Sequence, residues 1–208
     1  MKVLCINATL KNGEPSNTED LMNLVVKGMG DVEHQLIKLS DYTIPHGIEK
    51  QIGKGDDFPA IAKKMAGADA VIFGTPIWWG SHSSLMQRLI ERMDSIHEEY
   101  LETGKNPFYA KPTGIVITGH EDGAMQIMAH LMMVFTWMGF MIPPEGAAYW
   151  TGEVGIAGDD AEKRRKNKMV QKMASRLARN LLALAGKRST PKNGAKEKNP
   201  YTLGDMMG

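Results

Sequence analysis

Short apolar runs alternate with longer helical patterns along most of this sequence, and that alternation limits the folds available to the chain. The clearest runs lie at residues 3–6, 70–74 and 113–118, with room between them for helices of ten or more residues. Strands separated by such helices pair in parallel, because the chain must cross the sheet to reach its next strand. Right-handed crossovers then cover both faces. The sequence therefore predicts an α/β fold, a three-layer sandwich around a parallel sheet.

The boundaries of these elements follow from periodicity and from helix and turn signals. Strands are predicted at residues 2–7, 33–38, 70–74 and 113–118, with a fifth that begins at 140–142 and resumes at 147–150. Helices are predicted at 17–29, 58–66, 81–99, 123–138 and 159–185. Residues 40–57 contain Pro45 and several glycines, which indicates a loop.

Composition and charge narrow the class of protein. A length of 208 residues favours one domain, and a formal net charge of +1 gives no sign of a nucleic-acid partner. The single cysteine excludes both an internal disulfide framework and a four-thiolate metal site in one chain. No segment has the apolar length of a membrane span, and the N-terminus shows no signal-peptide pattern. We therefore expect a cytoplasmic protein.

Three polar loops follow three of the predicted strands, at residues 7–17, 74–82 and 118–124. In open parallel sheets, ligands bind outside the carboxyl ends of the strands, near the point where strand order reverses. Because these are also the loops richest in chemically useful residues, the sequence predicts a binding site there.

The first loop has the composition of a phosphate site. Thr9, Ser16 and Thr18 supply hydroxyls, Asn17 supplies an amide and Lys11 a positive charge, all ahead of a helix N-terminus with free N–H groups. The loop lacks the Walker ending and the GxGxxG dinucleotide pattern. It therefore indicates a mononucleotide phosphate site built from hydroxyls. A second interpretation stays open, in which Ser16 or Asn17 only caps the helix.

The second loop carries the adjacent aromatic residues Trp78 and Trp79, which cannot both enter the core just past a central strand. A planar aromatic ligand gives one of them a stacking partner. Pro76 stiffens the turn, and Gly74 and Gly80 allow the backbone to approach a ligand. The alternative is that the tryptophan pair packs on a neighbouring loop or on a partner subunit.

The third loop, from Thr118 to Gly123, combines flexible and polar residues that suit the polar parts of the same ligand. His120 is a candidate hydrogen-bond donor, although a lone loop histidine is more often a surface residue. The two acidic residues after it are typical of a cap for the next helix.

With these loops, the chain resembles the flavodoxin-like NAD(P)H-dependent FMN reductases and their quinone-reductase relatives over residues 1–185. Ser16-Asn17-Thr18 matches the end of their phosphate loop, and the segment from Gly74 to Gly80 matches their Gly-(Thr/Ser)-Pro motif. The glycine-rich loop from Gly119 to Gly123 is similar to theirs after strand four. One departure is Lys11, which stands where the family usually has an arginine and keeps the charge without bidentate geometry.

The resemblance implies a five-stranded parallel sheet of order 2-1-3-4-5 that binds FMN, with NAD(P)H as co-substrate and a quinone, free flavin or similar acceptor. Residues 40–57 lack the cysteines of the iron–sulfur branch, so FMN alone is implied. The implied cofactor-binding residues are Thr9, Lys11, Ser16, Asn17, Thr18, Pro76, Ile77, Trp78, Trp79, Gly80, Thr118, Gly119, His120 and Gly123. No catalytic acid, base or nucleophile and no metal ligand is implied. The alternatives are a non-enzymatic electron carrier, which a net charge of +1 disfavours, and a flavin-free binding protein.

Three further features complete the prediction. Six methionines between Met125 and Met141 indicate core packing together with a subunit interface, in keeping with family members that are homodimers or homotetramers. A basic run at residues 162–176 is typical of a solvated helix face, although a 2′-phosphate of NADPH could also use it. Residues 186–208 indicate a polar tail or an inter-subunit arm. Cys5 is expected to be an inert buried thiol.

Overall fold

The computed structural model describes residues 1–13, 16–152 and 161–187. The first half of the chain forms β1 (Lys2–Asn7), α1 (Asn17–Gly28), β2 (Glu33–Lys38), a 3-10 turn (Leu39–Asp41), α2 (Phe58–Gly67), β3 (Ala70–Trp78) and β4 (Ser81–His82). The second half forms α3 (Ser84–Thr103), β5 (Lys111–Gly119), α4 (Ala124–Trp137), β6 (Phe140–Met141), β7 (Ala147–Thr151), α5 (Ala161–Lys166) and α6 (Lys168–Lys187).

The main sheet is parallel, with strand order β2-β1-β3-β5-β7. This confirms the predicted order 2-1-3-4-5, counted over the five sheet strands. The fifth predicted strand is present in its two parts: β6 pairs with the start of β5, and β7 pairs with its end. Strand order reverses between β1 and β3, so the carboxyl ends of those two strands flank the place where a ligand is expected.

Two of the differences from the predicted boundaries lie around the end of the third sheet strand. β3 continues past Gly74 to Trp78 because it keeps pairing with β5, and Ser81–His82 returns antiparallel to it as β4. The predicted loop at 74–82 is therefore a strand end and a hairpin. α3 begins at Ser84 rather than at residue 81, because the Ser83 hydroxyl accepts the Met86 N–H as the N-cap.

The last helix, predicted at residues 159–185, is divided into two helices, α5 and α6. Residues 159–160 of the prediction lie outside the described residues. Asn167 separates α5 from α6, and its Oδ1 accepts the N–H groups of Met169 and Val170. This side-chain bond gives α6 its own N-terminus. α6 continues to Lys187, and the rest of the predicted tail lies outside the described residues.

Alternate residues of the buried strands feed two cores, one on each face of the sheet. Leu4, Ile6 and Phe73 pack against α2, α3 and α4, and Val3 and Cys5 pack against α1 and α6. Burial raises the pKa of the Cys5 thiol to about 12, so Cys5 is uncharged and unreactive, as predicted.

Arg92 of α3 closes the long loop between β2 and α2. Its guanidinium is fully buried, donates to the carbonyls of Pro45 and Glu49, and forms an ion pair with Asp56 at 2.7 Å. It also lies 4.6 Å from the centre of the Phe58 ring. The loop is thereby held by a side chain that is distant from it in sequence.

Among the described helices, none combines the length and the apolar character needed to cross a bilayer.

Candidate functional site

A cavity of about 750 Å³ lies at the carboxyl edge of the sheet, where the three polar segments converge. This volume is within the usual range of roughly 300–1,000 Å³ for small-molecule sites. Its lining contains every predicted site residue except Trp79, Gly80 and Gly123, together with Leu10 and Glu121, which the sequence did not predict. The lining residues are Thr9, Leu10, Lys11, Ser16, Asn17, Thr18, Pro76, Ile77, Trp78, Thr118, Gly119, His120 and Glu121.

One end of the cavity is formed by hydroxyls at the N-terminus of α1. Ser16 is the N-cap, and its Oγ accepts both the Glu19 N–H at 3.1 Å and the Asn7 side-chain amide at 3.0 Å. The capping interpretation is therefore correct for Ser16, which also lines the cavity. Asn17 is the first helical residue and not the cap. The positive end of the helix dipole makes this end suitable for a phosphate.

Asn7 organises this end from beneath, a role that sequence reasoning missed. It is fully buried at the end of β1, and its Oδ1 accepts the Thr9 N–H at 3.1 Å. The Thr9 hydroxyl in turn accepts the Lys11 N–H at 3.3 Å. The available signal was an asparagine ending an apolar strand, because a polar residue there needs partners in the following loop.

Thr18 and Thr118 connect the first and third segments across the sheet. Their hydroxyl oxygens are 2.8 Å apart, and both side chains are almost completely buried. This bond fixes the N-terminus of α1 against the end of β5. The hydroxyl-lined end of the cavity is therefore held before any ligand arrives.

The other end of the cavity is apolar and open. Ile77 is buried and Trp78 is 50% exposed, both on the extension of β3. Trp79 and Gly80 form the two-residue turn of the hairpin with φ angles of 50° and 74°. Left-handed angles at both positions match a type I′ turn. The Trp79 side chain is 92% exposed and lies outside the cavity lining.

Glu121 supports this turn instead of capping α4. Its Oε1 accepts the Trp79 N–H at 2.6 Å. The residue at the N-cap of α4 is Gly123, which makes no side-chain capping bond, so the predicted acidic cap is wrong. The Glu121 carboxylate binds the hairpin turn, which is 42 residues away in sequence, and local sequence gives no sign of that contact.

Gly123 lies where the third segment contacts the hairpin. Its φ is 129°, and a Cβ there would come within 2.7–2.9 Å of the Gly80 backbone. Only glycine allows this approach without strain. Gly80 and Gly123 therefore contact each other through their backbones, and neither lines the cavity.

The arrangement of the cavity fits FMN on grounds of donor chemistry and shape. Hydroxyls and a helix N-terminus lie at one end, and an apolar wall with a half-exposed indole lies at the other. A flavin mononucleotide has the same polarity along its length, with a phosphate at one end and an aromatic ring system at the other.

Fold and cavity together define a flavodoxin-like protein with a ligand cavity at the carboxyl edge of its sheet. The sequence profile of the family described as NADPH-dependent FMN reductase matches residues 1–155. The chain therefore belongs to this family of FMN-dependent oxidoreductases, as the sequence motifs predicted.

Two curated proteins show what else the chain is similar to. It is 31% identical over 163 residues to the divalent metal cation transporter MntH of Mycobacterium bovis, a match that covers 74% of this chain and spans only 24% of the transporter. It is 26% identical over 201 residues to 8-demethyl-8-aminoriboflavin-5′-phosphate synthase of Streptomyces davaonensis, covering 87% of this chain and 78% of that protein.

A similar solved structure is the crystal structure of RosB with its bound intermediate 8-demethyl-8-formylriboflavin-5′-phosphate. The TM-score is 0.75 at 24% identity, and the match covers 89% of this chain and 79% of that one. At this identity the likeness supports the fold.

Proposed function

We propose that this protein is an FMN-dependent oxidoreductase that uses NAD(P)H to reduce a quinone, a free flavin or a similar small acceptor. The observation that carries the proposal is the two-ended cavity, with hydroxyls at the N-terminus of α1 and an apolar wall at Ile77 and Trp78. Membership of the FMN reductase family supports the same cofactor and the same electron donor.

Roles at the phosphate end follow from the donors present. Ser16 and Thr18 are fixed by hydrogen bonds, and Asn17 lies in the first turn of α1, where backbone N–H groups have no partner within the helix. Thr9 and Lys11 also line the cavity. We assign these five residues to the phosphate, whose charge the helix dipole and the lysine both favour.

Roles at the ring end follow from apolar surface and backbone. We assign Pro76, Ile77 and Trp78 to the isoalloxazine, and Thr118, Gly119 and His120 to its polar edge and the ribityl chain, because all six line the cavity. Gly80 and Gly123 shape this end through their mutual contact. Contact between Trp79 and the ring stays a prediction, since its indole is exposed and outside the cavity lining.

When bound, FMN supplies the redox chemistry, so that NAD(P)H, a proton and a quinone yield NAD(P)⁺ and a quinol. The chain's own residues bind and orient. The buried hydroxyl pair at the phosphate end and the wall at Ile77 exclude water from the inner side of the cavity. The half-exposed Trp78 leaves the outer side accessible to the two substrates in turn.

The test is an absorbance spectrum of the purified full-length protein loaded with FMN, recorded without oxygen before and after NADPH or NADH. We expect the flavin absorbance to bleach with at least one of them and to return when a quinone is added. Riboflavin is the matched control ligand. Because it lacks the phosphate, it should bind at least about tenfold more weakly than FMN, a difference of about 1.4 kcal/mol. No bleaching with either nicotinamide would overturn the proposal.

An exposed apolar stripe on α4 supports the homodimer or homotetramer that the sequence predicted. Met125, Met133 and Trp137 are 65%, 53% and 67% exposed and recur every four or eight residues, so they share one face. We propose that a second copy of the chain covers this face. Light scattering on Met133→Glu should show a smaller particle than the wild type, whereas Met169→Glu, at an exposed methionine of α6, should not. Domain limits of 1–185 and a cytoplasmic location also stay predictions.

A further inference from the structure

A second open cavity, of about 360 Å³, lies beside the hairpin and has a lining distinct from that of the flavin cavity. It is bounded by the hairpin return and the start of α3, from Gly80 to Ser84, and by one turn of α4. The two cavities share the hairpin as a wall. Trp78 lines the first cavity, and Ser81, its partner in the β3–β4 pairing, lines the second.

Two histidines from different elements meet in this second cavity. The rings of His82 and His130 are stacked, with centroids 5.3 Å apart and an angle of 26° between the planes. Nδ1 of His82 is 3.2 Å from the Ser83 carbonyl oxygen, and because a carbonyl only accepts, Nδ1 donates there. Nε2 of His82 is therefore left for another partner.

Burial lowers the pKa of His82. The bond to the Ser83 carbonyl opposes this, and the nearby His130 lowers the pKa further. A positive charge on one imidazole disfavours a second positive charge on the ring stacked against it. An anion bound between these rings and the polar wall would favour positive charge on the histidine pair. Anion binding should therefore strengthen as the pH falls.

The remaining walls are rich in hydrogen-bond donors and contain no acidic residue. Ser81, Ser84 and Gln126 line the cavity, and their side chains make no hydrogen bond to another residue in the described part of the chain. Gln87 also lines it, but its amide nitrogen donates to Glu91 at 2.9 Å. Ser83 is occupied by a bond to the Ala8 carbonyl.

The charged groups around the cavity are directed elsewhere. Glu91 of α3 is held by the Gln87 amide, and the Arg88 guanidinium donates to the Ile44 carbonyl and contacts His46. Glu121 accepts the Trp79 N–H. His82 and His130 are therefore the titratable groups of the cavity itself.

We propose that this cavity is a second binding site, for the oxyanion of a redox substrate, in which His82 and His130 provide the charge and Ser81, Ser84 and Gln126 provide hydrogen bonds. The proposal rests on the proposed function, since it concerns a substrate of the flavin reaction. The oxyanion could be a phosphate of the nicotinamide dinucleotide or a carboxylate of the acceptor.

The first test measures binding without catalysis. Inorganic pyrophosphate is added to the FMN-loaded full-length protein, and the ring C–H signals of the histidines are followed by NMR at pH 6 and pH 8. We expect the signals of His82 and His130 to move together when pyrophosphate is added, and pyrophosphate to bind at least threefold more tightly at pH 6 than at pH 8. Unmoved signals at millimolar pyrophosphate would overturn the proposal.

His130→Gln removes the charge at an exposed position and keeps hydrogen-bonding capacity, so the variant should fold. It should weaken pyrophosphate binding at pH 6 about tenfold, an ordinary effect for one charge-assisted bond. His34→Gln, at an exposed position of β2 on the edge of the sheet, is the matched control and should bind as the wild type does. Equal weakening in both variants would contradict a specific site.

The second test distinguishes the two sources of the oxyanion. KM values are measured for NADPH and for a pair of quinones that differ by one carboxylate. A KM for NADPH raised in His130→Gln with either quinone assigns the dinucleotide, and a KM raised only for the carboxylated quinone assigns the acceptor. No change in any KM would overturn the assignment to a redox substrate. An inactive wild-type protein would refute the proposed function instead, while the NMR result would stand.

Discussion

Two loops leave the same edge of the sheet from adjacent parallel strands, yet one forms a cavity and the other is filled. Residues 8–16 follow β1, and residues 39–57 follow β2; both are polar and contain glycine. In the first, Ser16 and Thr9 line the cavity. In the second, the Arg92 guanidinium occupies the interior and takes the carbonyls of Pro45 and Glu49 as partners.

The difference shows that the remaining hydrogen-bonding capacity of a loop, more than its composition, marks a binding site. Carbonyls and the Asp56 carboxylate of the β2 loop are taken up by the buried guanidinium of Arg92 from α3. The β1 loop is organised from below by Asn7. Its Ser16 hydroxyl takes only the Glu19 N–H at the start of α1, which leaves the other N–H groups of that first turn for a ligand. Four experiments can break or sharpen this contrast, and their expected effects decrease from the first to the last.

Asp56→Asn should cost the most stability, because it leaves the Arg92 guanidinium buried without a countercharge. We expect the free energy of unfolding to fall by about 3 kcal/mol in urea titrations, at the lower end for a broken buried pair because three carbonyls remain as partners. Lys50→Gln, which removes the exposed pair with Glu99, should change it by less than about 0.5 kcal/mol. FMN affinity of the folded Asp56→Asn protein should stay within twofold. A loss of FMN affinity greater than twofold in Asp56→Asn would mean that the two loops are not independent.

Acid should remove the stability that the ion pair between Asp56 and Arg92 contributes. Burial raises the pKa of Asp56, but hydrogen bonds from Arg92, Ile52 and Phe58 and the charge of Arg92 outweigh it, so the pKa lies below 3.8. The stabilisation is therefore present above pH 3.8 and is lost as the pH falls through the lowered pKa. The difference in unfolding free energy between wild type and Asp56→Asn should be constant from pH 7 to 5 and shrink below that value. If the difference in unfolding free energy grows in acid, the direction assigned to the Asp56 pKa shift is wrong.

Thr18→Val should act on the cavity and leave the β2 loop unchanged. It removes the 2.8 Å hydroxyl bond to Thr118, so we expect FMN to bind about tenfold more weakly, near 1.4 kcal/mol, by fluorescence titration. Thr113→Val is the matched control, because the buried Thr113 hydroxyl has no hydrogen-bond partner among the residues that the structure describes. That variant should keep its FMN affinity and be as stable or more stable. Equal FMN binding in the two variants would contradict the assignment of Thr18.

Trp79→Asn should have the smallest effect of the four experiments, and the FMN affinity of the variant separates two roles of the turn. Trp79 has a φ of 50°, an angle that asparagine adopts at lower cost, so the variant should gain up to about 1 kcal/mol. If the indole only marks the turn, FMN affinity stays the same. A loss of FMN affinity in Trp79→Asn, with Trp79→Phe unaffected, would place an aromatic ring against the flavin at this position.

The sequence alone determined the frame of the fold and most of the cavity lining. Apolar runs between helical patterns define the parallel sheet, since burial on both faces requires such runs. Their carboxyl ends then bring Ser16, Thr18 and Thr118 to one edge, whatever the details of the loops. Motif spacing was sufficient here because strand ends of a parallel sheet meet at a fixed edge.

Only the tertiary structure decided which polar groups remain available. Arg92 and Asp56 are 36 residues apart, and Trp79 and Glu121 are 42 apart, so neither bond leaves a local signal. His82 and His130 meet only because the hairpin places β4 against α4. Periodicity and capping are properties of neighbours in sequence, whereas the pairing of buried polar groups depends on neighbours in space.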